Sequence, residues 1–173
     1  YSDWASFKTE LTQQRVKILG YINPYLVETS DRKSSVTHAS SLFHEAFQKG
    51  YLLLDPQKKS QPLMIKNTSF SAAVVDLSMP EAFKWLKEII KERLIKIGLS
   101  GWMADFGEAL PVDAQLHQGS GLQLHNQFPV LWAQLNREVI DELAGQTDEY
   151  LFFNRSGFTH TPKYSQLTWF GDH

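Results

Sequence analysis

The stretch SMPEAFKWLKEIIKERLIKIGLSGWMAD, residues Ser78–Asp105, decides the fold class. Its first part predicts a helix over Ser78–Lys96. Phe83, Leu86, Ile89, Ile90 and Leu94 recur at three- and four-residue spacing, which gathers them on one face. Pro80 suits the first helical turn, where its missing N–H has no intrahelical partner to lose, and Glu81 lies near the positive helix end. Gly98 ends the helix. Gly101–Asp105 then switches to a short apolar run that closes on an acid, the pattern of a buried strand.

The flanks repeat this alternation. Asp3–Arg15 places Trp4, Phe7 and Leu11 at helical spacing, with Ser2 or Asp3 as cap. Val16–Ile22 predicts a buried strand ended by Asn23-Pro24. Thr29–Ser41 is polar and reads as loop. Ser41–Gln48 predicts a short helix, Tyr51–Leu54 a strand, and Leu63–Lys66 with Phe70–Val75 a hairpin. Leu122–Leu143 predicts a second long helix with Pro129 near its start, Tyr150–Phe153 is a further apolar run, and Lys163–Asp172 ends with Leu167-Thr168-Trp169-Phe170-Gly171-Asp172. Strands alternating with helices predict an α/β fold with a parallel sheet. Asn23, Asp76, Asp105, Asn154-Arg155 and Asp172 all follow apolar runs. Polar groups at the C-terminal ends of parallel strands are where α/β enzymes, barrels in particular, place their chemistry.

Composition narrows the function. With 173 residues, 42% of them hydrophobic, the chain can bury one sizeable core. Lys and Arg number 17 against 19 Asp and Glu, a net charge of −2, so the basic stripe of a nucleic-acid binder is not expected. No apolar run reaches about 18 residues, so no membrane span is expected in this segment. The chain has no cysteine, which excludes a disulfide scaffold and thiolate metal ligands and leaves the compartment open. His117 and His125 are eight apart and His38 and His44 six apart, unlike the i, i+4 pair of a helical zinc site. No phosphate-cradling glycine loop or nucleophile elbow occurs. Neither metal nor cofactor is expected.

Asp105 and Asp172 are the carboxylates to weigh. Each closes a run containing a tryptophan (Trp102, Trp169) and lies near a glycine. Two carboxylates in one pocket can divide the roles of nucleophile and proton donor; aspartates that merely cap helices fit the same spacing. Arg155, after Phe152-Phe153, fits hydroxyl or carboxylate recognition, or a structural ion pair. Trp102 and Trp169 fit a sugar-stacking floor or a buried layer.

Gly101-Trp-Met-Ala-Asp-Phe-Gly-Glu108, followed by Leu110-Pro111 and Asp113, resembles the nucleophile motif of glycoside hydrolase family 31. Phe152-Phe-Asn-Arg-Ser156, Lys163-Tyr164 and Trp169-Phe-Gly-Asp172 resemble its acid/base segment, with Asn154 and His173 departing from the pattern. Leu19-Gly-Tyr-Ile-Asn-Pro-Tyr25 is similar to a barrel strand of that family, and Val74-Val-Asp-Leu, Pro80 and Trp85-Leu-Lys-Glu to its next strand–helix link. The motifs occur in the family's order along the whole chain.

The resemblance implies a (β/α)8 TIM barrel. Such a barrel typically needs about 250 residues, more than this chain has; with four or five of the eight strands, 1–173 is expected to be about half of one: the central part of a catalytic domain, lacking its N- and C-terminal parts and inactive alone. The resemblance further implies retaining hydrolysis of an α-glycoside, a carbohydrate substrate and no cofactor. Asp105 is then the nucleophile and Asp172 the acid/base, expected roughly 5–7 Å apart. Glu108 supports the nucleophile, Arg155 binds sugar hydroxyls, and Trp169, Phe106 and Trp102 line the sugar pocket. The wording of the nucleophile motif looks most like the sulfoquinovosidases, whose sulfonate-reading arginine and tryptophan would precede Tyr1. An α-glucosidase or α-xylosidase of the family, or a non-catalytic carbohydrate-binding homologue, is the alternative.

Overall fold

The structure, a computed structural model, describes residues 3–28, 42–58, 60–66, 71–143, 145 and 149–171. Its centre is a sheet of four parallel strands: β1 (Gly20–Ile22), β5 (Gly101–Ala104), β8 (Leu151–Asn154) and β9 (Leu167–Thr168), in that order. Tyr21, Met103, Phe153 and Leu167 stand side by side in register. The sheet is open, as expected of part of a TIM barrel. Gly101 lets β5 and β8 approach: a Cβ there would meet the Leu151 carbonyl oxygen at 2.0 Å.

Helices cover one face of this sheet. Helix α1 (Trp4–Gln13) starts where the Asp3 carboxylate accepts the Ser6 N–H at 3.2 Å. Helix α3 (Pro80–Ile90) runs into a π-type turn over Lys91–Ile95, so the predicted helix keeps its extent but widens in its last turn. The second long helix divides into α4 (Gly121–Leu124) and α5 (Phe128–Asp141). Pro129 accounts for the break. A continuous helix would need its N–H to reach the His125 carbonyl, and proline has none. Lys87, buried on α3, ties the two long helices by reaching Glu138 at 2.8 Å and Glu142 at 2.6 Å.

The core lies between sheet and helices. Trp102, Phe152, Phe128, Trp132, Leu135 and Ile140 are all fully buried there. Truncating one such aromatic typically costs about 3–5 kcal/mol.

Two smaller sheets sit beside this layer. Strands β2 (Tyr25–Leu26), β3 (Met64–Lys66) and β4 (Ser71–Val74) form an antiparallel sheet in the order β2–β4–β3, which contains the expected hairpin. Asp76 therefore follows an antiparallel strand and does not belong to the row of polar ends on the parallel sheet, a correction to the sequence reading. Strands β6 (Gln115–Leu116) and β7 (Gly119–Ser120) make a tight antiparallel pair. Helix α2 (Leu42–Gln48) forms as predicted. Tyr51–Leu54 makes only single bridges, Leu52 to Val75 and Leu54 to Pro62 and Gln115. The strand predicted over Val16–Ile22 is regular only in its last three residues; Val16 and Leu19 are exposed. Thr29–Ser41 lies outside the described residues. No described helix is long and apolar enough to cross a membrane.

Candidate active site

Alternation along the parallel strands sorts their side chains. Successive residues point to opposite faces. On the face away from the helices, Tyr21, Met103, Phe153 and Leu167 form one level, and Asn23, Asp105, Arg155 and Trp169, each two residues beyond a residue of that level, the next. Contacts bear this out. The Tyr21 hydroxyl donates to Asp105 Oδ2 at 2.6 Å, and the Trp169 ring meets Phe153 edge-on with centroids 5.5 Å apart. Trp102 is on the opposite face. It is fully buried and its indole N–H donates to Asn136 Oδ1 of α5 at 2.6 Å. The expectation that Trp102 lines the sugar pocket gives way to the buried-layer alternative, because its register parity turns it to the helices.

Asp105 is the centre of the arrangement. It is 7% exposed, and its backbone is held at both ends. Its N–H donates to the Ile22 carbonyl at 2.9 Å, and its carbonyl accepts the Trp132 indole N–H at 3.1 Å. Asn136 continues the link, donating to the Trp132 carbonyl at 2.7 Å while accepting from Trp102. Oδ2 takes the Tyr21 hydrogen bond. Oδ1 is buried with no hydrogen bond among the described residues. Arg155 Nη1 lies 3.4 Å from Oδ1, close enough for charge attraction.

The chain then turns sharply. Phe106 has φ of 59° and Gly107 φ of 108°, both in the left-handed region. A non-glycine residue held there stores strain of about 1–3 kcal/mol, a feature that clusters at functional sites. A Cβ on Gly107 would meet Ser156 Oγ at 2.9 Å. The Ser156 hydroxyl also donates to the Phe106 carbonyl, so the end of β8 clamps the turn. The turn presents Glu108, which pairs with Arg155, and the Arg155 guanidinium lies 4.3 Å above the Phe106 ring. Burial by itself lowers the Arg155 pKa. The hydrogen bond to Glu108 and the charges of Glu108 and Asp105 outweigh it, and the net effect is upward.

Two tyrosines flank the site. Burial, then the hydrogen bond to Asp105, pushes the Tyr21 phenol up to about 12. Burial likewise pushes Tyr25 up to about 12. The Tyr25 ring packs on Phe106, and its hydroxyl has no hydrogen bond among the described residues. A cavity of about 290 Å³ adjoins the Arg155–Glu108 pair and is edged by His125 and Asn126; Asp105 is not among its walls.

The structure thus brings together Asp105, Glu108, Arg155 and Phe106, and sets Trp169, on the Asp105 side of the sheet, against Phe153. Asp172 lies outside the described residues, so its distance from Asp105 is not part of this geometry. Tyr21 is the site residue the sequence reading missed. Its signal was parity: it stands two residues before Asn23, on a strand read as uniformly apolar. Among the described residues, no three His, Asp or Glu side chains converge as a metal site.

A buried carboxylate at the C-terminal end of a parallel strand stands where barrel enzymes place their chemistry, and glycoside hydrolysis uses such carboxylates in pairs. The model of the glycosyl hydrolases family 31 TIM-barrel domain matches residues 1–173, and the chain belongs to that family. It is 43% identical over 161 residues to a sulfoquinovosidase of Escherichia coli K12, covering 92% of this chain and 22% of the relative. A sulfoquinovosidase of Agrobacterium fabrum is 40% identical over 165 residues, covering 94% of this chain and 23% of the relative. A family 31 sulfoquinovosidase from E. rectale, solved with an aza-sugar inhibitor, superposes with a TM-score of 0.86 at 39% identity, over 99% of this chain and 24% of its own. The chain therefore spans less than a quarter of the length of each.

Proposed function

We propose that the protein carrying this chain is a retaining glycoside hydrolase acting on α-glycosides, with α-sulfoquinovosides as its substrate class. In this reading residues 1–173 form the central part of the catalytic barrel. Asp105 attacks the anomeric carbon, and Asp172 protonates the departing oxygen and then activates water, through an oxocarbenium-like transition state. Arg155 offers hydrogen-bond donors to sugar hydroxyls, held in place by Glu108 and by the Phe106 ring. Trp169 is the aromatic wall of the sugar seat.

One observation carries the reading. The Asp105 carboxylate is buried, aimed at the face where parallel strands end, and keeps one oxygen without a hydrogen bond. A carboxylate in a structural role fills both oxygens with donors; a nucleophile needs one left for substrate. The choice of sulfoquinovosides is supported by identities of 39–43% to proteins bearing that name.

The test is covalent capture. The whole protein, treated with a fluorinated glycosyl donor that slows the second step, should gain the mass of one glycosyl group on the peptide containing Asp105. Label on another residue would overturn the nucleophile assignment. For the substrate, kcat/KM should favour p-nitrophenyl α-sulfoquinovoside over p-nitrophenyl α-glucoside by about 10⁴-fold, the scale on which a site built for a polar group rejects the analogue lacking it. Equal rates would overturn the sulfonate preference.

A further inference from the structure

We propose that Tyr21 is a positioning residue for the nucleophile, holding Asp105 by Oδ2 so that Oδ1 is the oxygen that attacks. The proposal rests on the nucleophile reading of Asp105 given above.

The geometry that carries it is a short chain of hydrogen bonds. The Tyr25 backbone N–H donates to Asn23 Oδ1 at 3.0 Å, which orients that amide. Asn23 Nδ2 then donates to Tyr21 Oη at 3.2 Å. The phenol oxygen has one hydrogen, and with an acceptor site taken by Asn23 that hydrogen goes to Asp105 Oδ2 at 2.6 Å. The two oxygens of Asp105 are thereby made unequal. Oδ2 has a donor, while Oδ1 is buried, lacks a hydrogen bond among the described residues, and has the positive charge of Arg155 at 3.4 Å.

Register explains why a tyrosine is needed. Tyr21 pairs with Met103, and Asp105 stands two residues further along, a rise of about 6.6 Å. A serine or threonine on β1 would fall short of it, and a phenylalanine would arrive without a donor. Tyr21 is 50% exposed, so its ring is not needed to fill the core.

The consequence is uneven across the two chemical steps. In the first, an Oδ1 lone pair forms the bond to the anomeric carbon. The bond to the leaving group breaks, its electrons stay on the leaving oxygen, and that oxygen takes the Asp172 proton. Oδ2 is now the carbonyl oxygen of an ester, less charged than before, and the Tyr21 hydrogen bond weakens. In the second step water attacks the anomeric carbon, Asp172 takes the water's proton, and Asp105 departs as a carboxylate. The Tyr21 bond strengthens as that negative charge returns. Tyr21 therefore assists departure of Asp105 more than its attack.

The test is Tyr21→Phe in the whole protein, assayed with an activated aryl α-glycoside that the wild type cleaves. Expected are a fall in kcat of about 10²-fold, a parallel fall in KM, and a pre-steady-state burst as glycosyl-enzyme accumulates. The acid limb of kcat/KM should move to higher pH, because a carboxylate that loses a donor protonates more readily. The described groups facing Asp105 are Tyr21 from β1 and Arg155 beyond β8, with Glu108 acting through Arg155; the substitution alters only the first. Replacing Tyr21 by a ring-fluorinated tyrosine, a stronger donor of similar size, should move the acid limb the other way. Wild-type kcat, KM and acid limb in Tyr21→Phe would overturn the proposal, as would equal losses in kcat and kcat/KM with no burst. Asp105→Asn separates the two readings. If it retains activity, the nucleophile reading falls and this proposal with it. If it is inactive while Tyr21→Phe behaves as wild type, the positioning role alone falls.

Discussion

Asp76 and Asp105 are both buried, 5% and 7% exposed, and each follows an apolar strand. Their hydrogen bonding separates them. Asp76 Oδ1 accepts the Ser78 N–H at 2.9 Å and the Ser78 hydroxyl at 2.6 Å, and Oδ2 accepts the His117 N–H at 2.7 Å. Both of its oxygens are occupied, and they tie the β6–β7 turn to the start of α3. Asp105 has one donor from a side chain and one oxygen without any. Burial and the place after an apolar run are shared, although Asp76 follows an antiparallel strand and Asp105 a parallel one. What distinguishes a carboxylate that fastens the fold from one available for chemistry is unfilled hydrogen-bonding capacity.

The sharpest test of this contrast exchanges each acid for its amide. Asp105→Asn in the whole protein should lower kcat on the order of 10⁴-fold and leave the denaturant midpoint unchanged or raised, since it removes a buried charge. Asp76→Asn should do the reverse. Its amide nitrogen would face a backbone N–H at Ser78 or His117, costing about 2 kcal/mol in denaturant unfolding, with a modest effect on kcat. Activity loss from Asp76→Asn at full stability would break the contrast.

A smaller effect is expected at the turn beyond Asp105. Gly107→Ala places a side chain at a φ of 108° against Ser156, costing about 1–3 kcal/mol. It should also lower kcat by shifting Glu108 and Arg155. Full stability of this variant would show that the turn relaxes freely.

The smallest effect is alkaline. Tyr25 titrates near 12 in the folded chain against an ordinary value near 10, because of its burial. Stability from this group is fully present below pH 10 and drains as the pH climbs from about 10 to about 12. Tyr25→Phe should change neutral stability by less than about 1 kcal/mol and flatten that alkaline decline. Phenolate absorbance alongside unfolding reads both, and an unchanged slope would mean that the Tyr25 hydroxyl is solvated.

The parallel sheet was legible because β5 and β8 are continuous apolar runs closed by polar residues, and helices with clear faces separate them. Asp105 was legible as a strand-end acid, and the family motif around it gave it a role. Three features were not legible. Asp76 follows the same apolar pattern, and periodicity does not tell a parallel strand from an antiparallel one. Trp102 sits three residues from Asp105, and odd spacing on a strand turns it to the other face. Tyr21 shares the parity of Asn23, but its partner lies on another strand, and no local pattern encodes the register that brings Asp105 to it.

The path from Trp102 through Asn136 and Trp132 to the Asp105 carbonyl makes β5, its following turn and α5 a single inheritable cassette. The depth of Asp105 is gauged by indole and amide side chains on the helix, so a swap of α5 alone between homologues replaces the gauge but not the part it measures. Recombination points before Gly101 or after Leu143 keep the two together.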